Sequence, residues 1–209
     1  MSAPVRLYLA SSNPGKVTEF RALAASAALS SSPALNARVE IDLLPEFDSL
    51  PSFREDSPTF AENATGKALH YSHLGDGNVF ADDSGLVVPA LGGAPGIHSA
   101  RYAGPGARNA DRIAKLLGEL RGKEGAERAA YFVCAIALAE RGRALAIVTA
   151  RVDGEILESP RGSEGFGYDP VFYFPPLNRT FAQLLPEEKN RSSHRGKAFR
   201  KLLDAFRSP

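Results

Sequence analysis

Two adjacent carboxylates, Asp82 and Asp83, sit inside the apolar, β-prone run of residues 79–88, Val-Phe-Ala-Asp-Asp-Ser-Gly-Leu-Val-Val. Val, Phe and Leu on both sides read as buried strand. An ionised carboxylate in such a run is costly unless it is paired, hydrogen-bonded or holding a metal, so the two acids are candidates for chemistry. Neighbouring side chains on an extended strand point to opposite faces. Asp82 and Asp83 are therefore expected to divide their roles, unless a turn at Ser84-Gly85 re-aims the second. Asp-Ser-Gly is also ordinary turn chemistry, and on these residues alone that reading stands beside the charged site.

Positive groups that could face those acids occur in three places. Ser11-Ser12-Asn13-Pro14-Gly15-Lys16 precedes the helical pattern Val17, Phe20, Leu23 and Ala24. Ser12 or Asn13 can cap that helix and Pro14 suits its first turn. Unpaired backbone N–H groups, the helix dipole and Lys16 would together form an anion site; a plain cap beside a solvated lysine is the alternative. The spacing is not that of a Walker loop. A second helix starts at Thr59, with Glu62 placed for a capping box and Asn63 and Lys67 four apart on one face. Lys67 either points into a cleft or snorkels to solvent. The third place is the basic cluster Lys189, Arg191, His194, Arg195 and Lys197, either a solvated helix face or half of a phosphate and base pocket. Phe166, between Gly165 and Gly167, is suited to stacking on a base. His70 and His73 have no thiol or acidic partner nearby and read as surface residues.

The elements that position these groups follow from hydrophobic period and punctuation. Strands are expected over residues 5–10, 39–44, 79–88 and 171–174, with a hairpin formed by 130–139 and 143–152 around Glu140-Arg141-Gly142. Helices are expected from Val17, from Thr59, over 109–120, and over most of 186–206 with Ala198, Leu202, Leu203 and Phe206 as the core stripe. The Ala/Ser-rich stretch 24–37 reads as a helix end running into a loop, and 45–58 as an acidic surface loop in which Glu55 is a possible metal ligand. The Gly/Pro-dense segment 91–104 is either a wall of the site or a tight structural loop.

Composition bounds the function classes. With 209 residues, 44% hydrophobic and 23% charged, the chain suits one globular domain. A net charge of +1 gives no global field for a nucleic-acid polymer, so any phosphate site is local. Cys134 is the single cysteine and lies in an apolar run, which suits a reducing cytoplasm. Neither a leader-like start nor a membrane-length apolar segment is evident.

Taken in order, Ser12-Asn13-Pro14-Gly15-Lys16, Thr59-Phe60-Ala61-Glu62-Asn63-Ala64 with Lys67, Ala81-Asp82-Asp83-Ser84-Gly85-Leu86, Gly92-Gly93-Ala94-Pro95-Gly96, Gly165-Phe166-Gly167-Tyr168-Asp169-Pro170, and Glu188-Lys189 with Ser193-His194-Arg195 resemble a known family. From Leu7 to Leu203 the sequence is similar to the inosine/xanthosine triphosphate pyrophosphatases, which hydrolyse non-standard purine nucleoside triphosphates. The resemblance implies an α/β, two-lobed fold over residues 1–209, with a long central mixed sheet flanked by helices, an active-site cleft between lobes, and a homodimer. It implies Asp83 as general base and Mg²⁺-associated carboxylate, with Glu55 the candidate second metal residue and Glu46 its rival. Ser11, Ser12, Asn13, Pro14, Gly15, Lys16, Lys67, Ser84 and Lys189 are implied as substrate contacts, mainly to the triphosphate. Phe166, Gly167, Tyr168, Asp169, His194 and Arg195 match the base pocket. His98 departs from the family, standing where an aromatic is frequent. The competing function class is a nucleotide-binding regulatory module without turnover.

Overall fold

The computed structural model describes residues 5–29 and 39–207. It has an α/β architecture in which seven strands form one mixed sheet. In chain order the elements are β1 (Val5–Leu9), α1 (Pro14–Leu29), β2 (Val39–Leu43), α2 (Phe60–Ser72), β3 (Asn78–Val87), α3 (Asn109–Glu119), β4 (Ala129–Glu140), β5 (Arg143–Ile156), β6 (Phe172–Phe174), β7 (Arg179–Thr180), α4 (Pro186–Ser192) and α5 (His194–Arg207). The strand order is β2-β1-β3-β4-β5-β6-β7. β1 pairs in parallel with β2 and β3, through Leu7↔Ile41 and Tyr8↔Val79, while β5–β6 and β6–β7 are antiparallel.

The chain divides into two compact units. The first holds the residues up to Asp83, Ala135–Thr149 and those from Gly196 on; the second holds Ser84–Cys134 and Ala150–Arg195. The boundary therefore passes through β3 between Asp83 and Ser84.

Small side chains build much of the first core. Ala64 and Ala68 of α2 pack with Val79 and Ala81 of β3 and with Ala135, Ala137 and Ala139 of β4, all essentially inaccessible. With only methyl groups between them, helix and strand backbones approach closely. Phe20 of α1, Phe80 of β3 and Phe199 of α5 add an edge-packed aromatic group, with Phe20 and Phe80 centroids 5.1 Å apart. The β4–β5 turn is made by Arg141 and Gly142, both at positive φ (48° and 75°), the primed geometry that matches strand twist. A Cβ at Gly142 would also lie 1.9 Å from the His73 ring, which would have to move aside.

Aromatic rings build the core of the second unit. Phe132, Phe172, Phe174 and Phe181 meet at centroid distances of 4.6–5.9 Å, joined by Ile113 and Leu116 of α3. Arg128 ties the end of α3 to β5, its guanidinium donating to the carbonyls of Leu120, Lys123, Ile156 and Leu157 at 2.6–3.2 Å. The Gly/Pro-dense segment is structural where it meets β3: Ser99 Oγ accepts the Leu86 N–H at 2.9 Å and donates to the Gly96 carbonyl at 2.6 Å.

One expectation needs correction and two are sharpened. β3 runs unbroken through Asp83-Ser84-Gly85, so the turn reading of Asp-Ser-Gly does not hold. The expected helix over 186–206 is two helices, because Ser193 is extended (φ −68°, ψ 157°) between α4 and α5. α1 ends at Leu29, within the Ala/Ser-rich stretch expected to hold a helix end, and the rest of that stretch, from residue 30, lies outside the described residues, as does the side chain of Phe206. Among the described residues no helix is long and apolar enough to cross a membrane.

Candidate active site

In the first unit the two acids of β3 leave the strand in different company. The Asp82 side chain is fully buried and forms an ion pair with Lys16, Nζ to Oδ1 3.0 Å, while the same ammonium donates to the Asp82 carbonyl at 3.2 Å. Asp83 Oδ2 instead accepts a hydrogen bond of 2.9 Å from Asn63 Nδ2 on α2. Strand alternation produces this division, and the small residues of α2 and β3 let Asn63 come close enough to bond. Burial pushes the Asp83 carboxyl up to about 6; Glu55 and Asp82 push in the same direction, and the Asn63 hydrogen bond and Lys16 only partly offset them.

Lys67, one turn beyond Asn63, places Nζ 2.5 Å from Glu55 Oε1 and is mostly buried. Lys67 is thus held by Glu55 rather than extended into solvent. Asn63 was absent from the sequence-derived site residues, although its spacing from Lys67 put both on one face. Its amide also accepts the Ser57 N–H at 2.9 Å, so it fastens the acidic loop to α2 and β3 together.

The N-terminus of α1 differs from expectation. Asn13 Oδ1 accepts the N–H groups of Gly15 (2.9 Å) and Lys16 (3.3 Å), and Val17 donates to the Asn13 carbonyl. These donors are already capped, so what α1 offers an anion is its dipole end and Lys16 rather than unpaired N–H groups at those positions. Ser11, Ser12 and Pro14 line one side of a cavity of about 700 Å³, whose other side includes Glu46 and Asp48. Glu46 adopts a left-handed backbone (φ 54°).

The second unit carries its own group. Lys189 and Asp169 are both buried and paired at 2.7 Å, and Asp169 Oδ2 also accepts the Phe166 N–H at 2.9 Å. Gly165 makes room for this arrangement, since a Cβ there would lie 2.1 Å from Asp169 Oδ2. The half-buried Phe166 ring is flanked by Lys189 Nζ at 5.1 Å and the Arg195 guanidinium at 5.3 Å from its centroid. Arg195 Nη2 donates to Ser84 Oγ at 2.8 Å.

Two residues expected at the base pocket also pack within the core of the second unit. The His194 ring stacks on Phe132 at 4.6 Å with a 9° interplanar angle. Tyr168 is buried and donates its hydroxyl to the Ser99 carbonyl at 3.0 Å. Gly167, at φ 66°, supplies the backbone bend between Phe166 and Tyr168.

A profile of the Ham1 family matches residues 7–205. The chain belongs to the Ham1 family. A Geobacillus kaustophilus member named dITP/XTP pyrophosphatase is 51% identical over 94% of this chain and 91% of its own length. One of the same name from Thermus thermophilus is 42% identical over 97% and 92%. Among solved Ham1 structures, the Coxiella burnetii HAM1 protein is 40% identical with a TM-score of 0.82, covering 97% of this chain and 98% of that one. The Staphylococcus aureus Ham1 protein follows at 37% and 0.79, covering 96% and 97%.

Proposed function

We propose that this Ham1 protein is a nucleoside triphosphate pyrophosphatase, hydrolysing dITP, ITP and XTP to the monophosphate and pyrophosphate and so clearing them from the nucleotide pool. The observation that carries the reading is Asp83: a buried carboxylate held by a neutral amide, raised to about 6, in one unit with two lysines of restricted exposure. The names of the relatives support the substrate class.

A general base works best with a pKa near the operating pH. Asp83 meets that condition through burial, and Asn63 fixes one oxygen so that the other can take a proton from water attacking the α-phosphate. Lys16 and Lys67 are the positive groups for the developing charge on the departing pyrophosphate. Asp83 and Glu55 supply oxygen donors only and interact repulsively, which fits a hard divalent cation. Among the described residues no three His, Cys, Asp or Glu side chains converge on one ion, and Mg²⁺ commonly uses one or two carboxylates with phosphates and waters completing its shell. When bound, Mg²⁺ would neutralise phosphate charge and lower the pKa of a coordinated water.

For the base, the Phe166 ring offers a stacking face and Arg195 a donor-only guanidinium. Such a donor suits the 6-oxo group of hypoxanthine or xanthine and opposes the 6-amino group of adenine. Sites of this kind discriminate by roughly 10⁴-fold, because the mismatch strands buried polar groups.

Mg²⁺ dependence, a homodimer and a cytoplasmic setting complete the proposal. A buried thiol at Cys134 suits that compartment, and the near-neutral charge argues against polymer substrates. The test is a panel of ITP, dITP, XTP, GTP and ATP with and without Mg²⁺, assayed separately for pyrophosphate and orthophosphate. Pyrophosphate from the 6-oxo, 2-unsubstituted or 2-oxo purines is the expected product. Orthophosphate alone, or tight binding without turnover, would refute the reading.

A further inference from the structure

The proposed hydrolysis gives Asp82 no part, although its carboxylate is fully buried in the middle of β3. Burying an ammonium and a carboxylate together is a weak source of stability, because desolvation of both ions offsets their attraction. The geometry of this pair does something more specific. Lys16 Nζ faces Asp82 Oδ1 at 3.0 Å and bonds the Asp82 carbonyl at 3.2 Å, so one residue holds the ammonium at two points. The other end of Lys16 is held too, its backbone N–H bonding to Asn13 Oδ1 at 3.3 Å. A lysine ordinarily keeps considerable rotamer freedom on its four-carbon stem; here both root and tip are fixed. The side chain is still 15% exposed, and an ammonium has three donors, of which the carbonyl takes one.

We propose that Asp82 is a positioning residue: it presets the Lys16 ammonium for a phosphate oxygen without itself touching substrate. This rests on the pyrophosphatase reading for its biological meaning, since Lys16 is there a triphosphate contact. Presetting removes the ordering that a free lysine would undergo at binding, and so appears as affinity. Asp82 is thereby distinguished from Asp83, whose carboxylate bonds a neutral amide and is left to act on water.

The experiment is a double-mutant cycle of Asp82→Asn and Lys16→Met on the full chain, read by calorimetric titration with inorganic tripolyphosphate and Mg²⁺ and, in parallel, by turnover of ITP. Asp82→Asn is expected to weaken tripolyphosphate binding about 10-fold. In turnover the loss should fall on KM, with kcat within about threefold, a split that general destabilisation would not produce. The double variant should bind no more weakly than Lys16→Met alone, because Asp82 acts only through that lysine. Additive losses, affinity of Asp82→Asn within twofold of the parent, or a changed Mg²⁺ requirement at unchanged phosphate affinity would each overturn the proposal. Should Asp82→Asn not fold, Asp82→Ser is read by the same criteria. Failure of the pyrophosphatase reading would look different: the parent would release no pyrophosphate from any nucleotide while the tripolyphosphate cycle still closed on Lys16.

Discussion

Each unit buries an aspartate among its candidate site residues, and Asp169 and Asp83 are treated in opposite ways. Asp169, among the aromatic rings of the second unit, is neutralised: Lys189 lies 2.7 Å away and the Phe166 N–H bonds the same oxygen. Asp83, against the alanine-lined helix and strand of the first unit, receives a neutral amide and has Glu55 and Asp82 as acidic neighbours. A buried carboxylate that is paired with a cation fixes geometry, whereas one left short of positive charge is primed to accept a proton or a cation. On the proposed function the contrast would separate a scaffold for a base from a centre for hydrolysis, and it can be broken by removing each charge in turn.

The largest effect is expected on turnover. Asp83→Asn keeps an acceptor for Asn63 and nearly the same volume while removing the proposed base, so kcat should fall by about 10³-fold. The measurement is pyrophosphate release at saturating substrate and Mg²⁺, with circular dichroism to establish the fold. A variant retaining more than a tenth of parental kcat would remove Asp83 from the proton transfer.

Removing the charge at Asp169 should act first on stability. Asp169→Asn leaves the Lys189 ammonium buried without its counter-charge, and stranding one partner of a buried pair costs about 3 kcal/mol. Urea unfolding reads this directly as a lower midpoint at unchanged slope. A change below about 0.5 kcal/mol would mean that Lys189 relaxes to water, and the description of this aspartate as a neutralised scaffold would fail.

The same contrast explains which parts of the molecule could be read from sequence. Strand and helix positions were legible because their signals are local: the apolar run of β3, the cap at Thr59, and Arg141-Gly142 at the hairpin. Asp83 stood out because a charge in a strand core is physically conspicuous. Turn chemistry at Asp-Ser-Gly lost to the sheet, since β3 forms part of a ladder that single-residue propensities do not report. The partners were less legible. Nothing in the spacing of His194 or Tyr168 distinguishes a base contact from a core side chain, and only the fold brings His194 onto Phe132 and the Tyr168 hydroxyl onto Ser99. The break at Ser193 carries a weak local signal, since serine is a helix-capping residue type and Gly196 follows three residues on. Asn13 was foreseen as a cap, but its occupying the N–H groups of both Gly15 and Lys16 alters the anion site expected there.

The smallest effect has the opposite sign to that at Asp169 and depends on pH. The ordinary carboxyl value of 3.8 is raised to about 6 in folded Asp83. Between those values the folded protein keeps a proton that the unfolded chain has released, so rising pH favours unfolding over that window. Below about pH 4 both states are protonated and the carboxyl carries no such cost; above about pH 6 the cost is full. A tenfold change in proton affinity is worth about 1.4 kcal/mol, and partial relaxation reduces the total, so ~1–3 kcal/mol is the scale. Asp83→Asn, measured with chelator present, should therefore match the parent near pH 4 and become the more stable protein by that amount at about pH 7.5. If its advantage is flat across that range, the charge of Asp83 is not what strains the site, and its likeness to the paired aspartate of the second unit would be closer than the geometry indicates. If the advantage grows as described, a single substitution will have removed turnover and raised stability together, as expected where a site holds an uncompensated charge for chemistry.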